Sequence, residues 1–191
     1  PEFPVSAART PRANGDVGLD EAVDTADWRL TVEGLAGDEN EAEVTLEQIK
    51  ALPRVEMVTE FKCIEGWSTI VRWSGARLSD FISRFPPETN SGAPVNVAGN
   101  PRDLPEYVGM ATPDSRYYVG LDMASALHPQ TLLAYEMNGA ALSPEHGAPL
   151  RLVTPVKYGV KNIKRIGVIR YSSHRPADYW AERGYDWYAG L

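Results

Sequence analysis

The chain is poor in the residues that build metal and nucleophile sites. It holds one cysteine and three histidines in 191 residues. A single cysteine excludes an internal disulfide and a cysteine-rich zinc motif, and no C-x-x-C-H marks covalently attached haem. Positive charge is also short. Lys and Arg number 19 against 26 Asp and Glu, for a net charge of −7, which argues against a broad nucleic-acid footprint. No apolar run approaches the roughly 20 residues of a membrane-spanning helix. Neither a Walker loop nor a dinucleotide fingerprint is present. What remains is 43% hydrophobic and 24% charged, an ordinary globular composition long enough for one well-buried core.

Residues 1–27, rich in Pro, Gly, Asp and Ala, show no period of 2 or 3.6 and read as an extended N-terminal arm over a single domain spanning 28–191. WRLTVEGL (28–35) alternates as a strand. TLEQIKAL (45–52) reads as a short helix capped by Thr45, and VEMVTEFKCI (55–64) as a buried strand. A helix is expected from near Ser74, carrying Leu78, Phe81, Ile82 and Phe85 at helical spacing and ending at Pro86-Pro87. PVNVAG, YVGMAT, PLRLVTP and RIGVIRYSS read as further strands. Asn138-Gly139 predicts a tight hairpin turn, and the aromatic tail YWAERGYDWYAGL is expected to pack back on the body. Many strands with a few unevenly placed short helices give an α+β class built on mixed β-sheets.

Three features carry potential chemistry. Cys63 admits three readings: a buried core thiol, a nucleophile, or a soft-metal ligand. No histidine stands in a cysteine-hydrolase pattern. A metal held by one thiolate needs a cofactor to bring its other ligands. The segment EHGAPLRLVTPVKYGVKNIKRI (145–166) gathers His146, Arg151, Lys157, Lys161, Lys164 and Arg165 in an otherwise acidic chain. It is either a solvated basic face or an anion pocket, in which a guanidinium fork and lysines grip a phosphate. A helix turn opening at KNIK would add backbone N–H groups to that pull. The adjacent Tyr117 and Tyr118 face opposite ways on a strand, so both can serve packing, or one can enter a site. His128 and His174 are assigned no role.

Taken in order, WRLTVEGL, FKCIEGWSTIVRWSGARLSDFI and LLAYEMNGAALSPEHGAPLRLVTPVKYGVKNIKRI resemble the molybdopterin-binding domain of the sulfite oxidase family, over most of the chain from Trp28 to Gly190. The resemblance implies a sulfite-oxidase-type molybdopterin-binding fold and a Mo-molybdopterin cofactor. It implies that Cys63 binds molybdenum, that Tyr117 is the active-site tyrosine, with Tyr118 a one-residue alternative, and that Thr112, His146, Arg151, Asn162, Ile163 and Lys164 contact the cofactor. CIEGWS and the tail YDWYAGL look more like the periplasmic methionine-sulfoxide reductase catalytic subunit, whereas LLAYEMNG and EHGAPLRL look more like sulfite oxidases. The arm's Arg-Asn-His run of sulfite oxidases falls nearest to Ser6, Ala7 and Ala8, which lack its arginine.

The activity so implied is two-electron oxygen-atom transfer on a small sulfur- or nitrogen-containing substrate. A separate electron-transfer protein, a haem protein, would be the redox partner. A monomer and a periplasmic or exported location are expected from related proteins. The alternative is a non-catalytic module that binds or carries the pterin, for which an active-site tyrosine is superfluous.

Overall fold

The computed structural model describes residues 2–20 and 23–191. Among these residues ten strands form two sheets. The first sheet is ordered β2-β1-β10-β5-β6, from β1 (Arg29–Glu33), β2 (Glu41–Thr45), β5 (Tyr107–Ala111), β6 (Tyr118–Asp122) and β10 (Val168–Ser172). Its β1–β10 pair is parallel and the other pairs are antiparallel. The second sheet is ordered β3-β4-β7-β8, from β3 (Arg54–Lys62), β4 (Ser68–Arg77), β7 (Leu132–Met137) and β8 (Ala140–Ala141), with β9 (Arg151–Val153) also paired to β7. Three short helices, α1 (Leu46–Lys50), α2 (Leu78–Arg84) and α3 (Met123–Ala126), complete the α+β architecture expected from the sequence. Among the described residues no helix is long and apolar enough to cross a membrane.

Burial explains why the elements fall where they do. In β1, Leu30 and Val32 alternate into the core. Strand β7 instead reads as a continuous apolar run because both of its faces are covered. Leu133 and Tyr135 join the main core with Phe81, Leu150 and Ile169, while Leu132 and Ala134 join a smaller core with Trp73, Val71 and Val153. Helix α1 carries a full capping box: Gln48 N–H donates to Thr45 Oγ1, and Thr45 N–H donates to the Gln48 side chain. Asn138 and Gly139 both take positive φ, 52° and 84°, as the tight hairpin between β7 and β8 requires.

Two elements differ from expectation. Residues 74–77 continue β4 instead of opening the helix, because 74–76 pair with β3 on one side and 74–77 with β7 on the other. Helix α2 starts only at Leu78, and its buried Leu78, Phe81 and Ile82 are the part of the helical pattern that is helix. PVNVAG forms no strand. There the Asn96 side chain accepts from Gly99 N–H at 2.8 Å and its carbonyl from Asn100 N–H at 2.8 Å, so a local turn outcompetes pairing.

The arm lies extended along the second sheet, Phe3 N–H donating to Val58 O at 3.1 Å and Arg9 N–H to Ile70 O at 2.8 Å. At the irregularity between β4 and β7, Gly75 passes so close to β7 that an added Cβ would lie 2.1 Å from Leu133 O. Gly75→Ala should therefore cost about 1–3 kcal/mol through overpacking against backbone that cannot yield. Urea unfolding should show a lowered midpoint at unchanged m-value, and an unchanged midpoint would mean that the strand pair can separate without loss.

Candidate active site

Cys63 lies one residue beyond β3, in the turn that joins it to β4, and not inside the strand as its sequence context suggests. Its N–H donates to Trp67 O at 2.9 Å and its carbonyl accepts from Gly66 N–H at 3.1 Å. The turn thus fixes the backbone and leaves the thiol half-buried at the head of the hairpin. Asn14 of the arm reaches it, with Nδ2 at 3.9 Å from Sγ and 3.0 Å from Glu65 Oε2. Trp67 Nε1–H donates to the same carboxylate oxygen at 3.0 Å.

The thiol opens on a cavity of about 280 Å³. Six of the eight residues singled out from the sequence line it: Cys63, Tyr117, His146, Arg151, Asn162 and Lys164. Thr112 and Ile163 do not. Ile163 is packed in the main core. Thr112 is buried behind the wall, its hydroxyl donating to Asp114 at 2.5 Å and accepting from Tyr117 N–H at 3.2 Å, so it holds Tyr117 in place from the rear. The tyrosine pair is divided by the strand. Tyr117 OH lies in the cavity wall and donates to Val160 O at 2.6 Å, whereas Tyr118 OH turns outward to Glu182. Burial, reinforced by the Asp178 carboxylate, raises the Tyr117 pKa, so its proton stays on throughout the physiological range.

The basic segment divides as well. Lys161 pairs with Asp178 at 2.5 Å, Lys157 lies 3.3 Å from Asp122, and Arg165 donates to Ala148 O at 3.2 Å. Of this segment's basic side chains, Arg151 and Lys164 turn their charge toward the cavity, and His146 lines it beside them. Arg151 is 3% exposed. Nη1 donates to His146 O at 3.1 Å and Nη2 to Asn162 O at 3.2 Å, with the guanidinium 4.8 Å above the Trp73 ring. No carboxylate among the described residues forms an ion pair with it. Burial lowers its pKa to about 10. Lys164 Nζ donates to Asn14 O at 2.9 Å and Gly15 O at 3.0 Å, and burial and Arg151 bring its pKa to about 8. Burial, Arg151 and Lys164 also lower the His146 pKa.

The segment at KNIK closes a turn instead of opening a helix. The 3-10 turn Gly159–Lys161 ends at Asn162, whose N–H is used on Gly159 O, while Ile163 N–H is used on Lys161 O. The anion-binding capacity of the wall therefore rests on side chains and not on a helix terminus.

Several lining residues are not among those the sequence singled out. Glu65 stands two residues after the cysteine. Trp180 and Tyr185 come from the aromatic tail, whose composition signals packing but not the site. Arm residues Arg12, Asn14 and Gly15 also line the cavity, whereas the sequence comparison aligned the site-facing part of the arm with Ser6–Ala8. Lys164 sets this register by gripping the carbonyls of Asn14 and Gly15.

The residues present fit an anionic metal cofactor. Buried Arg151 Nε, His146 Nδ1 and Trp73 Nε1 have no hydrogen-bond partner, and polar groups so buried call for one. Among the described residues no group of three or more His, Cys, Asp or Glu could hold a metal ion. A metal at Cys63 therefore has to bring further ligands with it. The lining thus fits a metal carried on an anionic organic scaffold.

Residues 17–180 match the family described as "Oxidoreductase molybdopterin binding domain". A putative protein-methionine-sulfoxide reductase subunit, YedZ1 of Azospira oryzae, is 37% identical over 193 residues, covering 100% of this chain and 67% of that protein. The protein-methionine-sulfoxide reductase catalytic subunit MsrP of Campylobacter jejuni is 33% identical over 180 residues, covering 92% of this chain and 60% of that protein. The chain spans about half the length of MsrP from Burkholderia mallei, 50%. The crystal structure of the sulfane dehydrogenase SoxCD from Paracoccus pantotrophus superposes with a TM-score of 0.65 at 19% identity, covering 81% of this chain and 40% of that one. The chain belongs to the oxidoreductase molybdopterin-binding domain family. It has the sulfite-oxidase-type fold, and its cofactor is Mo-molybdopterin.

The cationic wall makes a prediction for the cofactor-free protein. The Lys164 pKa is about 8 when folded against 10.5 ordinarily. The unfolded chain therefore binds more protons between these values, and stability rises with pH across that window. Wild type should gain stability relative to Lys164→Met between about pH 8 and 10.5 in urea titrations. A difference independent of pH would overturn the reading of Lys164 as a desolvated cation.

Proposed function

We propose that the chain is a molybdenum-dependent oxidoreductase that carries out two-electron oxygen-atom transfer on a small sulfur-containing substrate, with sulfoxide reduction as its direction. The observation that carries this reading is the convergence of one thiol, a cationic wall and a protonated tyrosine on a single cavity. Cys63 would hold the metal through its thiolate. Arg151 and Lys164, with His146 and Asn162, would hold the pterin and its phosphate. The bound cofactor supplies the two-electron oxygen-atom-transfer chemistry.

The protein's part is to orient and to exclude water. Tyr117 keeps its proton, and its single O–H, donated here to Val160 O at 2.6 Å, would exchange that acceptor for the substrate oxygen. Trp73 and Trp180 supply apolar wall, so polar contacts inside are strengthened by the low local dielectric. Reducing a sulfoxide to a sulfide consumes two electrons and two protons and releases water. The electrons come from a separate electron-transfer protein, a reading supported by relatives named as catalytic subunits. On this reading the chain works as a periplasmic monomer.

A second reading is favoured by Arg12. It is exposed, lines the cavity, and lies 5.7 Å from the Trp67 ring centroid, with no ion pair among the described residues. Such a free guanidinium suits a small oxyanion such as sulfite. A bare carrier of the pterin is disfavoured, since carriage has no use for Tyr117 in the wall.

The test uses protein purified from a host that makes the cofactor. About one molybdenum per chain is expected, with visible thiolate-to-metal charge transfer that disappears in Cys63→Ser. Tyr117→Phe should retain molybdenum and lose turnover of methionine sulfoxide with an artificial electron donor by roughly 10²-fold or more. Arg151→Ala should lower molybdenum content. Full turnover of sulfite with none of the sulfoxide would transfer the assignment to the oxyanion reading. A metal-loaded protein whose spectrum is unchanged in Cys63→Ser would overturn both.

A further inference from the structure

Lys161 belongs to the basic segment, yet the cavity makes no use of it. Its Nζ donates to Asp178 Oδ2 at 2.5 Å and to Gly120 O at 3.0 Å, and lies 4.4 Å from the Trp187 ring centroid. The two side chains are 1% and 4% exposed. The same carboxylate accepts from Gly120 N–H at 3.2 Å and Ala181 N–H at 3.1 Å. One ion pair thereby ties together three segments distant in sequence: the 159–162 turn, strand β6 and the tail around 178–182.

Stability alone is a poor reason for such a pair, because a well-packed apolar pair of similar volume commonly serves as well. A charged pair with its hydrogen bonds satisfied fixes geometry instead. Each joined segment carries part of the cavity wall: Val160 from the turn, Tyr117 leading into β6, and Trp180 and Tyr185 from the tail. The rings are in contact. Tyr117 lies 5.1 Å from Tyr179, Tyr179 packs edge-on to Trp180 at 5.3 Å, and Trp180 packs on Tyr185 at 5.1 Å. Tyr179 N–H donates to Tyr118 O at 2.9 Å, which carries the tail's register directly onto β6. Asp178 and Lys161 stand next to the two anchors of Tyr117, its ring neighbour Tyr179 and its hydrogen-bond acceptor Val160.

We propose that Lys161 and Asp178 form a positioning pair that locks the aromatic tail against β6 and the 159–162 turn, holding the Tyr117 hydroxyl and the Trp180–Tyr185 wall in register across the cavity. The proposal rests on the reading in which Tyr117 serves oxygen-atom transfer. Neither member of the pair lines the cavity, so both act through Tyr117 and Trp180.

The test compares Asp178→Asn, Lys161→Met and the double variant Lys161→Met/Asp178→Leu with wild type and Tyr117→Phe. The readouts are thermal midpoint, molybdenum content, kcat and KM, and the near-ultraviolet circular dichroism of the tryptophans in cofactor-free protein. Each single variant strands a buried charge and lowers the thermal midpoint. The double variant removes both charges and recovers the part of that loss due to the stranded charge, while Gly120 N–H, Gly120 O and Ala181 N–H lose their side-chain partners. If the pair positions, the double variant still has an altered near-ultraviolet spectrum, retains molybdenum, and loses kcat by roughly 10- to 100-fold. A double variant with the wild-type spectrum and wild-type kcat overturns the proposal, leaving the pair a contribution to stability only. Tyr117→Phe separates the two possible failures. If it keeps full turnover, the functional reading of Tyr117 falls, and the positioning pair is then decided by the near-ultraviolet spectrum alone.

Discussion

Arg151 holds a full positive charge in a place where charge is costly. Moving an unpaired ion from water into a protein interior is expensive even after relaxation. Here the cost is reduced with neutral groups only: two backbone carbonyls, from His146 and Asn162, and the face of Trp73. Those contacts dictate much of the surrounding chain. The 3-10 turn Pro144–His146 has to present one carbonyl from before β9, and the 159–162 turn has to present the other from beyond it. Asn162 is itself held by Thr154 N–H, which donates to Oδ1 at 2.7 Å, and by its own Nδ2, which donates to Tyr158 O at 3.1 Å. The guanidinium is thus half-satisfied: Nη1 and Nη2 are bonded, and Nε is left without a partner.

Lys164 extends the same logic to the arm. Its ammonium is placed in the wall by the chain following Asn162, and it holds the arm by two carbonyls. The arm in turn brings Asn14 to the thiol and to Glu65. Six connecting stretches of chain therefore meet at one cavity: the arm, the β3–β4 turn, the residue leading into β6, the β8–β9 connection, the crossing from β9 to β10, and the tail. The sheets supply rigid ends for these stretches, and the polar contacts among them set the site's shape. Loops on a rigid scaffold commonly carry function in this way, and here the arm is bonded directly to the site loops through Asn14 and Lys164.

What was legible in the sequence follows from how local each signal is. The Thr45 cap, the Asn138-Gly139 hairpin and the alternation in β1 are decided within a few residues, and the chain folds as they indicate. The ends of β4 and α2 were not legible. Whether 74–77 is strand or helix is decided by partners at Arg54–Glu56 and Leu132–Glu136, far off in sequence. The candidate site shows the same division. Residue type and motif order single out Cys63, Arg151 and Lys164. They do not reveal that Lys157 and Lys161 turn away to Asp122 and Asp178, because opposite charges distant in sequence make that choice. The arm was the least legible part. Without periodicity it carries no register of its own, and its place at the cavity depends on contacts made by a lysine about 150 residues later.

The scarcity of ligating residues with which the sequence opens now has a physical account. A chain that supplied all the ligands of a metal would need a cluster of cysteines, histidines or carboxylates, and among the described residues none exists. A chain that supplies one thiolate and leaves the remaining donors to a dithiolene cofactor needs something different. It needs electrostatics to hold the cofactor's anionic end, and packing to hold its plane. The polar and aromatic residues of the site divide accordingly. Arg151 and Lys164 form the cationic wall with His146 beside them, and Trp73, Tyr117 and Trp180 form the apolar and hydrogen-bonding one. The proposed role of Cys63 as a single thiolate ligand accords with this lining and requires no larger cluster. That also explains its position. At the head of a two-stranded hairpin, fixed by turn hydrogen bonds on both sides, one thiol can be aimed more rigidly than any set of ligands spread along flexible loops.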